Sequence, residues 1–231
     1  MPGGMLYIVA TPIGNLQDIT LRAIETLRSV DVIACEDTRH TAILCKAHHI
    51  TTPTTSFHSY SPESKTAGLV QQLQAGRRVA LISDAGLPGI SDPGTPLIRA
   101  AIQAGIPATV IPGASASLAA LVLSGFPTDR FVFEGFLPVK PGPRRKRLEA
   151  LKAAPRTVIV YESPHRLLKT LAAIQEVFGD IQISCSRELT KLFEETRREP
   201  ISRLLEHFTQ HAPKGEFVLV LPPARERTHD E

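Results

Sequence analysis

The feature that most constrains this chain is a recurring pair. A strand-length apolar run breaks into a loop of Gly, Pro and small polar residues, and a helix-length segment follows. Leu6-Tyr7-Ile8-Val9-Ala10 runs into Thr11-Pro12-Ile13-Gly14-Asn15, and Val32-Ile33-Ala34-Cys35 runs into Glu36-Asp37-Thr38-Arg39. Val79-Ala80-Leu81-Ile82 runs into the 12-residue stretch 83–94, dense in Gly, Pro, Ser and Asp, before a helix ended by Gly105. Ala108-Thr109-Val110-Ile111 meets Pro112-Gly113-Ala114-Ser115-Ala116 and a small-residue helix to about Ser124. Uninterrupted short apolar runs read as buried strands. Their alternation with helices predicts an α/β fold with a largely parallel sheet. In such a sheet, ligands bind in loops beyond the carboxyl ends of the strands. Strand-to-helix loops are usually only a few residues long, so 83–94 is the first candidate site.

Local signals fill in the rest of the first half. Asp18 is placed to cap a helix over 19–30, and Asp37 or Thr38 to cap another. Residues 54–58 read as a third strand. Ser61-Pro62 starts a helix to about Gln74, which Gly76 stops. The turn Gly125-Phe126-Pro127-Thr128-Asp129 predicts a boundary between domains at 1–126 and 127–223, with a charged tail at 224–231. The second half alternates less regularly. Strands are expected at 131–133, 157–161, 181–185, 194–198 and 216–221. Helices are expected from near Pro143, from Ser163-Pro164 to Phe178, and from Pro200 to about His211. Some of these strands lack intervening helices, which predicts a mixed sheet.

Composition narrows the class. No apolar run is long enough to span a membrane, and the N-terminus lacks the basic-then-apolar pattern of a signal peptide. Cys35, Cys45 and Cys185 are far apart, which disfavours a disulfide framework and a zinc site. A reducing, cytoplasmic enzyme is expected. Trp is absent, which argues against an aromatic platform for stacking bases. The first loop is neither G-x-G-x-x-G nor a P-loop sequence. The net charge of +3 is unevenly spread: residues 138–156 hold seven Lys and Arg against Glu149 alone. Lys140, Arg144, Arg145, Lys146 and Arg147 form a candidate RNA-binding patch, to be weighed against a plain solvated helix face.

Several strings together resemble one family. They are Leu6-Tyr7-Ile8-Val9-Ala10-Thr11-Pro12-Ile13-Gly14-Asn15-Leu16, Glu36-Asp37-Thr38-Arg39, the 83–94 loop, Tyr161-Glu162-Ser163-Pro164-His165-Arg166, Arg187-Glu188-Leu189-Thr190-Lys191 and Lys214-Gly215-Glu216. The chain resembles the bacterial small-subunit ribosomal RNA (cytidine-2′-O)-methyltransferases, within the tetrapyrrole-methylase-like, or class III, superfamily. The likeness runs from Leu6 to about Leu221. It departs at Leu87, where relatives commonly carry Thr, and at His58-Ser59-Tyr60-Ser61, where many carry a more acidic, Asn-containing run.

The resemblance implies two α/β domains, a homodimer, and S-adenosyl-L-methionine held by strand-end loops in a cleft. The acceptor it implies is the ribose 2′-hydroxyl of a cytidine in small-subunit ribosomal RNA, naked or in the assembled subunit. Pro12, Gly14, Asp84, Ala85, Gly86, Leu87, Ser91, Asp92, Gly113, Ala114, Ser115 and Ala116 are the implied cofactor contacts. Tyr161, Lys214, Gly215 and Glu216 are added from the second domain. Small residues suit a folded ligand that approaches the backbone closely. Glu36, Asp37, Arg39, Glu162, His165 and Arg166 are the polar candidates for gripping the nucleotide and handling its proton, each with an alternative role in a cap or ion pair. No metal is expected. The rival readings are a class III enzyme acting on a tetrapyrrole or a protein side chain, and an RNA-binding module without activity.

Overall fold

The structure is a computed structural model and describes residues 3–224. These fall into two compact units that divide between Ser115 and Ala116. The expected tail lies, from residue 225 on, outside the described residues.

The first unit carries strands β1 (Met5–Val9), β2 (Val32–Cys35), β3 (Thr54–Ser56), β4 (Arg78–Leu81) and β5 (Ala108–Ile111). They form one sheet in the order β3-β2-β4-β1-β5, every pair parallel. Helices α1 (Leu21–Ser29), α2 (Thr38–Ala47), α3 (Glu63–Gln74) and α4 (Thr95–Gln103) connect them. Side chains alternate across a strand, and both faces of this sheet are covered. Leu6, Ile8, Val79 and Leu81 pack with Leu69 and Leu73 of α3 and Leu97 and Ala101 of α4. Val9, Ala80 and Ile82 pack on the opposite face with Ala23 and Leu27 of α1 and Leu44 and Cys45 of α2. The central strands β2, β4 and β1 read as continuous apolar runs because neither of their faces meets water, whereas β3 and β5 at the edges are partly exposed.

One capping assignment differs from the sequence reading. Asp18 belongs to a 3-10 turn, Leu16–Asp18, and Thr20 caps α1 by accepting from the Ala23 N–H. Asn15 caps the short turn through the Gln17 N–H. Two side chains that can each close a turn stand close together here, and the tighter turn takes the first.

The second unit contains α5 (Ala116–Ser124), β6 (Phe131–Phe136), α6 (Pro141–Lys152), β7 (Thr157–Glu162), α7 (Leu167–Phe178), β8 (Gln182–Arg187), β9 (Glu195–Pro200), α8 (Ile201–Gln210) and β10 (Phe217–Leu221). Its sheet has the order β6-β7-β10-β8-β9. Only β6 and β7 run parallel; the other pairs are antiparallel, so the sheet is mixed as expected. Helices α7 and α8 pack Leu167, Leu171, Ile174, Ile201, Leu204 and Phe208 against Val158, Val160, Leu219 and Leu221. Helix α5 packs on β10, β8 and β7. The division therefore falls before α5 rather than at the 125–129 turn: an apolar helix goes with the sheet that buries it.

Candidate functional site

In the first unit, β1 and β4 are hydrogen-bonded neighbours, yet the chain leaves them in opposite directions. From β1 it goes to α1 on one face, and from β4 to α4 on the other. Such a switch point opens a crevice at the carboxyl ends of the two strands, where open α/β sheets bind ligands.

Hydrogen bonds join the two loops at this crevice. The Thr11 N–H donates to Gly86 O at 2.9 Å, and the Gly86 N–H donates back to Thr11 O at 3.1 Å. The Thr11 hydroxyl adds contacts to Ser83 O at 3.1 Å and Gly86 O at 3.4 Å. Gly86 sits at φ +78°, and a Cβ there would meet Ile13 Cγ2 at 3.5 Å and Ala114 O at 3.7 Å. Glycine resolves both demands, positive φ and close approach. The loop after β5 comes in closely too: a Cβ on Gly113 would lie 2.9 Å from Ala10 Cβ. Beside the crossing is a small cleft lined by Pro12, Gly14, Leu16, His40, Ile43 and Asp84, among others.

The end of β2 brings acidic groups to the same place. The Asp37 N–H donates to Asp84 Oδ1 at 3.2 Å. Burial raises the Glu36 carboxyl above its ordinary value; negative Asp84 and Asp37 raise it further, and His58 partly offsets them. Asp37 behaves oppositely. The Arg39 guanidinium grips it through Nε at 3.1 Å and Nη2 at 2.7 Å, and the Asp37 carboxyl is lowered to about 2. Asp37 also caps α2 by accepting from the Arg39 N–H. Cap and candidate contact are the same residue.

The first unit thus groups Pro12, Gly14, Glu36, Asp37, Arg39, Asp84, Ala85 and Gly86 around one set of strand ends. Leu87 is partly packed against the α3–α4 side of the core. Ser91, at φ +62°, and Asp92 lie further along, where the loop turns between Gly89 and Gly94. Ser115 closes this unit and Ala116 opens α5 in the other.

In the second unit, Tyr161 meets Phe133 and Phe136 edge-on, with ring centroids at 5.0 and 5.8 Å. Glu162 is 2% exposed. Its Oε1 accepts the Ser163 N–H at 2.8 Å and its Oε2 accepts the Thr170 hydroxyl at 2.5 Å. Arg166 Nε stands 3.3 Å from Glu162 Oε1, and Arg166 Nη2 donates to Leu137 O at 2.6 Å. Both side chains are occupied in holding the turn ahead of α7. The expected helix start at Pro164 is replaced by that turn: Ser163 O accepts the N–H groups of Arg166 and Leu167, and α7 opens at Leu167. His165 is exposed. Gly215, at φ +87°, leaves room for Glu188, whose Oε1 accepts the Glu216 N–H at 3.0 Å. Lys191 bridges Glu188 and Glu216 at 3.0 and 2.7 Å. Lys214 is exposed.

The basic patch is only partly free. Arg144 is 8% exposed, on the α6 face that also buries Leu148 and Leu151. It is an interior residue and not part of an RNA-facing surface, because its spacing of four and seven from those leucines puts it on the packed side. Arg145 pairs with Glu149, and Arg147 binds Glu134 through two nitrogens. Lys140 and Lys146 are exposed, and their ammonium groups have no partner among the described residues.

Two buried hydroxyls at this crossing, those of Thr11 and Ser83, are not among the residues the sequence singles out. The available signal was a lone hydroxyl placed at, or one residue past, the end of a buried apolar run.

A parallel sheet with a stitched switch point, followed by a mixed five-stranded unit, defines the tetrapyrrole-methylase fold. Uroporphyrin-III-C-methyltransferase from Thermus thermophilus shares it at TM-score 0.64 and 22% identity, over 94% of each chain. Diphthine synthase shares it at TM-score 0.73 and 15% identity, over 94% of this chain and 89% of that one. The profile of the Tetrapyrrole (Corrin/Porphyrin) Methylases matches residues 5–205, and the chain belongs to this family. It is a methyltransferase, and more particular relatives are close. The chain is 51% identical to ribosomal RNA small subunit methyltransferase I of Synechocystis sp., over 96% of this chain and 80% of that protein. The proteins of that name from Bacillus subtilis and Thermotoga maritima are 46% and 44% identical. Those matches cover 99% and 94% of this chain, and 78% and 98% of the relatives.

Proposed function

We propose that this methyltransferase moves a methyl group from S-adenosyl-L-methionine to the ribose 2′-hydroxyl of a cytidine in small-subunit ribosomal RNA. The observation that carries the reading is 44–51% identity, over nearly the whole chain, to proteins named for methylating that RNA. The first-unit crevice suits the cofactor. Gly86 leaves the backbone open, Asp84 supplies a carboxylate for an ammonium group, and Pro12, Gly14, Gly113 and Ala114 allow close approach. Ser91, Asp92, Ser115, Ala116, Tyr161, Lys214, Gly215 and Glu216 stay in the proposed contact set. When bound, the cofactor supplies an activated methyl on a sulfonium, so the protein's share is alignment and proton handling.

Glu36 is the proposed acceptor for the hydroxyl proton. Its raised carboxyl is closer to neutrality than an ordinary one, as a general base requires. Arg39, 91% exposed at the side chain, exchanges Asp37 for a backbone phosphate. Lys140, Arg145, Lys146 and Arg147 give salt-dependent attraction to RNA without reading its sequence. His165 is a further contact, while Glu162 and Arg166 act through the turn they hold. The reading includes a cytoplasmic homodimer acting on naked or assembled ribosomal RNA. Among the described residues no helix is long and apolar enough to cross a membrane.

The test is transfer of labelled methyl from S-adenosylmethionine to small subunits, naked ribosomal RNA and RNA-free protein extract, followed by nucleoside analysis. Label recovered as 2′-O-methylcytidine is expected. Label confined to protein, or none in RNA despite cofactor binding, overturns the reading in favour of a protein or tetrapyrrole acceptor.

A further inference from the structure

We infer that the hydroxyls of Thr11 and Ser83 are positioning groups. They turn the carbonyls of the β4 loop inward and leave its amide N–H groups to receive the cofactor's carboxylate. The inference rests on the proposed cofactor site and assigns one end of the ligand within it.

Thr11 and Ser83 are 3% and 2% exposed. A hydroxyl so deeply buried needs a partner, and these two take theirs from one loop. The Thr11 hydroxyl reaches Ser83 O at 3.1 Å and Gly86 O at 3.4 Å. The Ser83 hydroxyl reaches Ala85 O at 3.3 Å and Gly86 O at 3.4 Å. Gly86 O also takes the Thr11 N–H at 2.9 Å. The carbonyls of Ser83, Ala85 and Gly86 are therefore all satisfied from inside the protein. The N–H groups of Ala85 and Leu87 have no acceptor among the described residues. Ala85 is exposed and Leu87 half-buried, so both amides are within reach of a ligand.

Near-neighbour amides of this kind form an anion-binding concavity. The amino-acid end of S-adenosylmethionine presents a carboxylate and an ammonium on one carbon. Donor amides beside the Asp84 carboxylate match that pair of charges. A loop with its carbonyls turned outward would repel the carboxylate.

Calorimetric titration with two probes tests this. S-adenosylhomocysteine carries the amino-acid end, and 5′-methylthioadenosine lacks it. Thr11→Val keeps the branched shape and removes the hydroxyl. It should weaken S-adenosylhomocysteine on the order of tenfold, the scale of one hydrogen bond, and leave 5′-methylthioadenosine within about twofold. Thr11→Ser should restore the wild-type preference, and Ser83→Ala should act in the direction of Thr11→Val. Thermal melting of the free variants identifies any that fail to fold, and Ser83→Ala carries the test if Thr11→Val does. Equal weakening of both probes, no weakening of either, or no rescue by Thr11→Ser overturns the inference. Failure of the wild-type protein to bind S-adenosylhomocysteine instead overturns the cofactor reading.

Discussion

Thr11 and Gly86 exchange both of their backbone hydrogen bonds, at 2.9 and 3.1 Å, although they lie in loops that leave neighbouring strands for opposite faces of the sheet. This isolated bridge ties together the two sides of the switch point. It also holds Gly86 at φ +78°, a conformation that costs other residues ~1–3 kcal/mol. Gly86→Ala should lower unfolding free energy by about 1–3 kcal/mol and weaken cofactor binding, read by urea denaturation and by titration.

Glu162 and Thr170 separate stability from activity. Replacing Glu162 with Leu leaves the buried Thr170 hydroxyl and the Ser163 N–H without their acceptor, a loss of about 1–3 kcal/mol per group. Glu162→Gln, which keeps acceptor capacity, should cost less. Both variants should bind S-adenosylhomocysteine normally while folded. Loss of turnover in Glu162→Gln at full stability would return Glu162 to the chemistry.

Glu36 and Asp37 should respond to pH with opposite sign. Glu36 is raised in the folded state, so ionising it disfavours folding above its folded pKa. Glu36→Gln should therefore raise the melting temperature near neutrality, and the gain should fade as pH falls through the raised folded value and be gone below the ordinary carboxylate range. Asp37 is lowered from 3.8 to about 2, so its contribution is present above 3.8 and is lost as pH falls through about 2. Asp37→Asn should slightly lower stability at neutral pH, with the difference vanishing in acid. If Glu36 is the base, the acid limb of the methyl-transfer rate should lie above the usual range for Glu.

Charge reversal on α6 should separate surface from interior. Lys140→Glu with Lys146→Glu should weaken RNA binding and flatten its salt dependence by about one unit of slope per lost phosphate contact. Arg144→Glu should unfold the second unit instead, seen as a lowered melting temperature before any RNA is added. Equal RNA affinity for the double variant across salt concentrations would remove this face from the interface.

Cys185 is 2% exposed in β8, and burial pushes its thiol up to about 12. It should resist a thiol reagent at neutral pH and react in step with unfolding in denaturant. Rapid labelling of the folded protein would show that the sheet opens at β8.

Much of the fold was legible because local rules and burial agree here. The strands expected at 32–35 and 108–111 match the structure to the residue, since turn signals bound each short apolar run. The cap expected at Asp18 falls to Thr20 because two capping side chains compete within a few residues. The helix start expected at Pro164 gives way to one at Leu167 because Glu162, buried by the sheet, draws the Ser163 N–H into a turn. Of the candidate site, the Gly and Asp positions at strand ends could be read, since few residues tolerate those backbones.

Sequence alone determined the strand-and-helix alternation, the parallel first sheet, the mixed second sheet and the family, because periodicity, turn residues and motif strings are properties of neighbours in the chain. Only the tertiary structure decided that Arg144 is interior, that Glu162 and Arg166 are committed to a turn, and that Thr11 and Ser83 orient a loop more than seventy residues beyond Thr11. Those outcomes depend on which groups share a buried space. A buried hydroxyl or carboxylate takes whatever partner the packed sheet brings within about 3 Å, and no local pattern in the chain encodes that partner.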